Sequence, residues 1–124
     1  MSRAARILLA EEHGAVARPL IAHLTSRGHA VRWVRAVREL RSELPTFNPH
    51  VLVLDVSLDT DGLEFFQAIR FTPQCPPGGV VALIEPGDTY SRDRANQLGA
   101  AAVVSKPVDE DEVSRLVEEL MAFL

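Results

Sequence analysis

Val51-Leu52-Val53-Leu54-Asp55 is a run of four β-prone apolar residues ending in a carboxylate, and the Asp/Gly-rich turn Ser57-Leu58-Asp59-Thr60-Asp61-Gly62 follows it. A run without polar alternation reads as a strand buried on both faces, the signature of a parallel sheet. An acid at the carboxyl end of such a strand stands where open α/β sheets place their ligands. Taken alone, Asp55 reads first as a turn or helix-capping residue. The other runs of the chain decide between these.

Ile7-Leu8-Leu9-Ala10 is a second apolar run ending in acid, Glu11-Glu12, and Val80-Val81-Ala82-Leu83-Ile84 is a third. Val31 and Trp33 alternate with Arg32, which suits a half-exposed edge strand. A short final strand precedes Lys106-Pro107. Between these runs lie helical stripes. Val16, Leu20 and Leu24 form one, closed by Gly28, with Pro19 implying a late start near Val16 or a kink. Val37, Leu40 and Leu44 form another, stopped by Pro45. Leu63, Phe66 and Ile69 follow Gly62, and Tyr90, Ala95 and Leu98 follow an N-cap at Asp88. Val113, Leu116, Val117 and Leu120 lie on the last helix, whose acidic start at 109–112 complements the helix dipole.

Strands at 6–10, 30–34, 51–55, 80–84 and 102–105 alternating with five helices predict an α/β fold. It is a doubly wound five-stranded parallel sheet of order 2-1-3-4-5, flavodoxin-like, with its switch point between strands 1 and 3. Residues 1–124 then form one domain, a size that supports a real core.

The composition narrows the function. A net charge of −4 and a pI near 5.5 argue against direct nucleic-acid binding. No apolar run is long enough for a membrane span or a signal peptide, and the single Cys75 cannot form an internal disulfide. The expectation is a cytoplasmic domain. Arg32, Arg35, Arg38 and Arg41 fall every three residues and read as a solvated face paired with Glu39 and Glu43. His13 reads as a solvent-facing residue at a helix start.

The topology brings Glu11 and Glu12 beside Asp55, with Lys106 able to reach the same rim. Converging carboxylates repel and call for a cation, and hard oxygen ligands suit Mg²⁺ or Mn²⁺. A cation and a lysine beside a carboxylate make a site for phosphoryl chemistry.

In this order and spacing, Glu11-Glu12, Asp55, Asp61-Gly62-Leu63 and Lys106-Pro107 after Gly99-Ala100-Ala101 carry a resemblance. The chain resembles the receiver domain of two-component response regulators along essentially its whole length. The resemblance implies that Asp55 accepts a phosphoryl group from a histidine kinase or phosphotransfer protein. It implies that Glu12, Asp55 and the Ser57 backbone carbonyl hold Mg²⁺, with Glu11 acting through water. Lys106 would contact the phosphoryl oxygens, before a cis peptide bond. Beyond self-phosphorylation and dephosphorylation at Asp55, no enzyme activity is implied. Output would pass to a partner through the face formed by helix 4, strand 5 and helix 5, with a homodimer as a further assembly.

The departures from the family pattern define an atypical member. Position 12 is Glu, one methylene longer than the usual Asp, which displaces a carboxylate by about an ångström against a coordination tolerance of about 0.2 Å. The turn after Asp55 is one residue short and lacks a proline. Ile84 stands where the family has a Ser or Thr, Glu85 where it has a small residue, and Val103 where it has a switch aromatic. A lost hydrogen bond to a charged group is worth about 1.5–3 kcal/mol, enough to unbalance a two-state switch. Two readings result: a phosphoacceptor receiver with unusual output, and a phosphorylation-independent pseudo-receiver that serves as a protein-interaction module. A flavodoxin-like enzyme or nucleotide binder would need a Gly- or Ser/Thr-rich phosphate loop, where this chain has Glu11-Glu12-His13-Gly14.

Overall fold

The computed structural model describes residues 3–124. Strands β1 (Arg6–Ala10), β2 (Ala30–Val34), β3 (Val51–Asp55), β4 (Val80–Ile84) and β5 (Ala102–Ser105) alternate with helices. The helices are α1 (Gly14–Ser26), α2 (Val37–Phe47), α3 (Gly62–Ile69), α4 (Thr89–Gln97) and α5 (Glu110–Met121), with a 3₁₀ turn at Leu58–Thr60. The sheet is parallel throughout, in the order β2-β1-β3-β4-β5. All five expected strands form at the expected residues.

The uninterrupted apolar strands have a physical purpose, because alternate side chains face opposite helical layers. Ile7, Leu9, Val51, Val53, Val81 and Leu83 pack under α1 and α5. Leu8, Ala10, Leu52 and Leu54 pack under α2 and α3. Val56, Ala82 and Ile84 pack with Ala95 of α4. Every residue of β3 and β4 is buried, whereas β2 at the edge alternates.

Both prolines lie inside their helices. Helix α1 starts at Gly14 and carries Pro19 in its interior on the exposed side. Helix α2 runs through Pro45, in its last turn, to Phe47. The stop comes from Asn48, which takes the left-handed conformation and returns its N–H to the Leu44 carbonyl. Tyr90, placed in the core stripe of α4, is instead 73% exposed. The expected cap forms, Asp88 accepting from the Ser91 amide, and Asp109 also caps α5 by accepting from the amides of Asp111 and Glu112.

Helix α3 passes very close to the end of β3. A Cβ on Gly62 would lie 2.5 Å from the Val56 carbonyl oxygen and 2.8 Å from that of Asp55. Only glycine lets the helix start there.

Candidate functional site

Four strand ends converge on the carboxyl edge of the sheet. Asp55 is the last residue of β3, and Glu11, Glu85 and Lys106 are the first residues beyond β1, β4 and β5. The parallel register sets Ala10 beside Leu54, Asp55 beside Leu83 and Ile84 beside Ser105, so Glu11 stands level with Asp55 while Glu85 and Lys106 stand level with each other two residues further along.

The Lys106 ammonium is the centre of the group. Its Nζ lies 2.8 Å from Glu11 Oε1, an ion pair off the ammonium's hydrogen-bond directions. It donates to Asp55 Oδ2 at 3.0 Å and to Glu85 Oε1 at 3.2 Å. Glu11 and Asp55 are almost fully buried, whereas the Glu85 side chain is 48% exposed. Asp55 Oδ1 accepts from the Ser57 amide at 2.9 Å and the Ser57 hydroxyl at 2.7 Å. Glu11 Oε2 accepts from the His13 amide at 3.1 Å and lies 3.2 Å from His13 Nδ1.

Burial alone would push the Asp55 carboxyl up, but the hydrogen bonds from Ser57 and Lys106 outweigh it and hold Asp55 below the ordinary carboxylate value. Burial likewise opposes the charge on Lys106, and the attraction of Glu11 and Asp55 holds the ammonium well above its ordinary value. At neutral pH the centre therefore contains an ionised Asp55 and a charged Lys106.

The expected residues separate here. Glu11, Asp55, Ser57 and Lys106 come together. The Glu12 side chain is exposed and makes no hydrogen bond or ion pair among the described residues. The Ser57 carbonyl accepts from the Thr60 amide at 2.9 Å, leaving one lone pair free. His13 does face solvent at the start of α1, yet it also joins the site: Glu11, His13 and Asp55 each offer one ligand atom within 4.8 Å of the others. Its position two residues after Glu11, at a helix N-cap, was the available signal. Ile84 is fully buried beside Val56, Ala82 and Ala95, and Val103 packs against them. The Lys106-Pro107 peptide bond is cis.

The neighbouring surface is organised by pairs. Arg32 meets Glu43 at 2.7 Å, and Glu39 accepts from the Arg35 amide, while Arg41 lies over Phe65. Three further hydrogen bonds tie the edge strand and the residue after it to the acidic loop. Trp33 Nε1 donates to the Glu11 carbonyl at 2.7 Å, and the Arg35 guanidinium donates twice to the Glu12 carbonyl. No helix among the described residues is long and apolar enough to cross a membrane.

Comparison with known proteins agrees with this geometry. The sequence pattern of the response regulator receiver domain matches residues 7–118. The probable chemotaxis protein CheY of Rhizobium etli is 32% identical over 66% of this chain and 65% of its own length. The response regulator Rre1 of Synechocystis is 33% identical over 60% of this chain and 32% of its own. The chain thus spans less than two thirds of the curated relatives it matches. A putative response regulator from Chloroflexus aurantiacus has the same fold, with a TM-score of 0.86 at 23% identity, covering 97% of this chain and 99% of that one. Receiver domains are in general signalling modules rather than enzymes, working with histidine kinases or phosphotransfer proteins and with downstream effectors. The chain belongs to the response regulator receiver domain family, the signal-accepting module of two-component systems.

Proposed function

We propose that this chain is a phosphoacceptor receiver in which Asp55 is the nucleophile. The observation that carries the reading is the Asp55 carboxylate, kept ionised by Ser57 and Lys106 at the mouth of the sheet. An Asp55 oxygen attacks the phosphorus of a phosphohistidine on a kinase or phosphotransfer protein. The new O–P bond forms as the N–P bond breaks, and its electron pair returns to the imidazole nitrogen. Lys106 offsets the charge on the transferring phosphoryl oxygens. Ser57 fixes the rotation of the nucleophile.

The donor chemistry fits a hard divalent cation. Glu11 and Asp55 would hold Mg²⁺ or Mn²⁺, with the free lone pair of the Ser57 carbonyl, and Glu12 reaches such an ion only by turning inward. When bound, the ion supplies neutralisation of the carboxylates and of the incoming phosphoryl group. The downstream partner is assigned to the face of α4, β5 and α5, where Tyr90 projects into solvent.

A second reading, the phosphorylation-independent interaction module, draws on the burial of apolar Ile84 and on Val103, neither of which offers a donor or acceptor to a phosphoryl group. One experiment separates the two. The protein and Asp55→Asn are treated with acetyl phosphate, or with beryllofluoride, in the presence of Mg²⁺ and compared by intact mass and NMR. An adduct of one phosphoryl group on the native protein alone is expected. No adduct and no Mg²⁺-dependent shift near Asp55 would leave the interaction module.

A further inference from the structure

Lys106 has three N–H bonds and three carboxylates around it: Glu11, Asp55 and Glu85. The ammonium donates to two of them, Asp55 and Glu85, and a phosphoryl oxygen arriving at Asp55 competes for those bonds. Glu11 is held from behind by His13 and is fully buried. Asp55 is the acceptor itself and is anchored by Ser57. Glu85 alone is half exposed, has the longest of the three contacts, and has no other side-chain partner among the described residues. The group that yields is Glu85.

Its position gives that displacement a consequence. Glu85 opens the turn Glu85-Pro86-Gly87-Asp88, which is closed by the Asp88 amide donating to the Glu85 carbonyl at 3.2 Å. Asp88 caps α4 by accepting from Ser91 at 3.0 Å, and Gly87 has a φ of +78°. The residue that touches Lys106 and the residue that caps α4 are thus three positions apart in one tight turn. The Ile84 side chain, one residue earlier, is sealed in apolar packing and has no polar atom with which to respond.

We propose that Glu85 is a displaceable carboxylate that holds Lys106 in the unmodified protein, is evicted by the phosphoryl group on Asp55, and through its turn signals that event to the start of α4. This rests on the phosphoacceptor reading of Asp55. It makes Glu85 a positioning residue for Lys106 and the substitute for the missing polar switch. It also makes Glu85 a brake, since its charge opposes the incoming anion.

The test compares the native protein with Glu85→Gln and Glu85→Ala, using acetyl phosphate with Mg²⁺ for rate by intact mass, and beryllofluoride with Mg²⁺ for amide shifts. Removing a half-solvated like charge beside the reacting group predicts phosphorylation on the order of tenfold faster in both variants. In the native protein beryllofluoride moves the amides of residues 85–91. In Glu85→Ala those amides already sit near the displaced positions without it and move little further. An adduct on the variants alone also supports the brake. Equal rates with the same 85–91 shifts in all three proteins would overturn the inference and leave Asp55 as acceptor. No adduct on any of the three overturns the acceptor reading, and the inference with it. Because Glu85 is half exposed, unchanged amides in β1 and β3 check that the variants fold.

Discussion

Replacing Lys106 with methionine, a side chain of similar length without the charge, isolates the electrostatics of the centre. Glu11 and Asp55 would then face each other, both nearly fully buried, with no cation between them. Breaking a buried pair in this way costs about 3–5 kcal/mol at neutral pH. The half-exposed Glu85 adds little to that figure. The pH dependence is the sharper signature. In the native protein, the stability due to Asp55 is present above its unfolded value of 3.8 and is lost as pH falls through its lower folded value. That due to Lys106 is fully present below 10.5 and is lost as pH rises through its higher folded value. Between pH 5 and 8 the contributions of Asp55 and Lys106 are therefore constant. In Lys106→Met one carboxyl is forced to keep a proton, so its folded value rises above its unfolded value and the variant gains stability on acidification. The gain approaches about 1.4 kcal/mol per pH unit for one proton. Urea denaturation at pH 5, 6, 7 and 8, followed by the fluorescence of the single Trp33, measures both proteins. The stability gap should be widest at pH 8 and close toward pH 5, with histidine contributions cancelling in the difference. Parallel curves, or a variant as stable as the native protein at pH 7, would refute the picture of two buried acidic side chains held by one ammonium.

Two other residues give independent tests. Asp59 sits at φ +52° and accepts from the Val37 amide at 2.7 Å, serving α2 as the cap that Ala36 cannot supply. Asp59→Ala loses the cap and keeps the strained backbone, a loss of about 2 kcal/mol, whereas Asp59→Gly trades one against the other and stays within about 0.5 kcal/mol; equal losses in urea melts would contradict this. His29 is buried and accepts from the Ala5 amide, and burial lowers its pKa. Its neutral form is the folded one, so stability is lost as pH falls from the unfolded value of 6.5 toward the folded value, and His29→Asn, which keeps an acceptor, should flatten that slope in thermal melts.

The strands were legible because burial on both faces leaves an unambiguous trace: Val51 to Leu54 and Val80 to Ile84 contain no polar residue to confuse the reading. Pro45 misled because a local rule placed the stop at the proline itself. Pro45 falls in a last turn, and the true stop at Asn48 depends on a backbone conformation that composition does not reveal. Within the site, Asp55 and Lys106 could be placed from strand ends alone. Of the acidic pair, the resemblance put Glu12 directly on the cation and Glu11 behind a water, whereas the chain path after β1 turns Glu11 inward and leaves Glu12 exposed. The part of Glu85 was half visible, as a charge out of place. Its contact with Lys106 joins residues on different strands, which no local pattern encodes.

The bonds from Trp33 and Arg35 to the carbonyls of Glu11 and Glu12 have a consequence for where this protein is sensitive to change. An outermost strand is ordinarily the most replaceable part of a sheet. Here β2 acts as an outrigger, bracing the acidic loop from the side away from Lys106. Arg18 and Arg35 in turn lie over the Trp33 ring at 5.3 and 4.9 Å. A substitution at Trp33 or Arg35 therefore removes a support of the loop that carries Glu11 without touching its carboxylate.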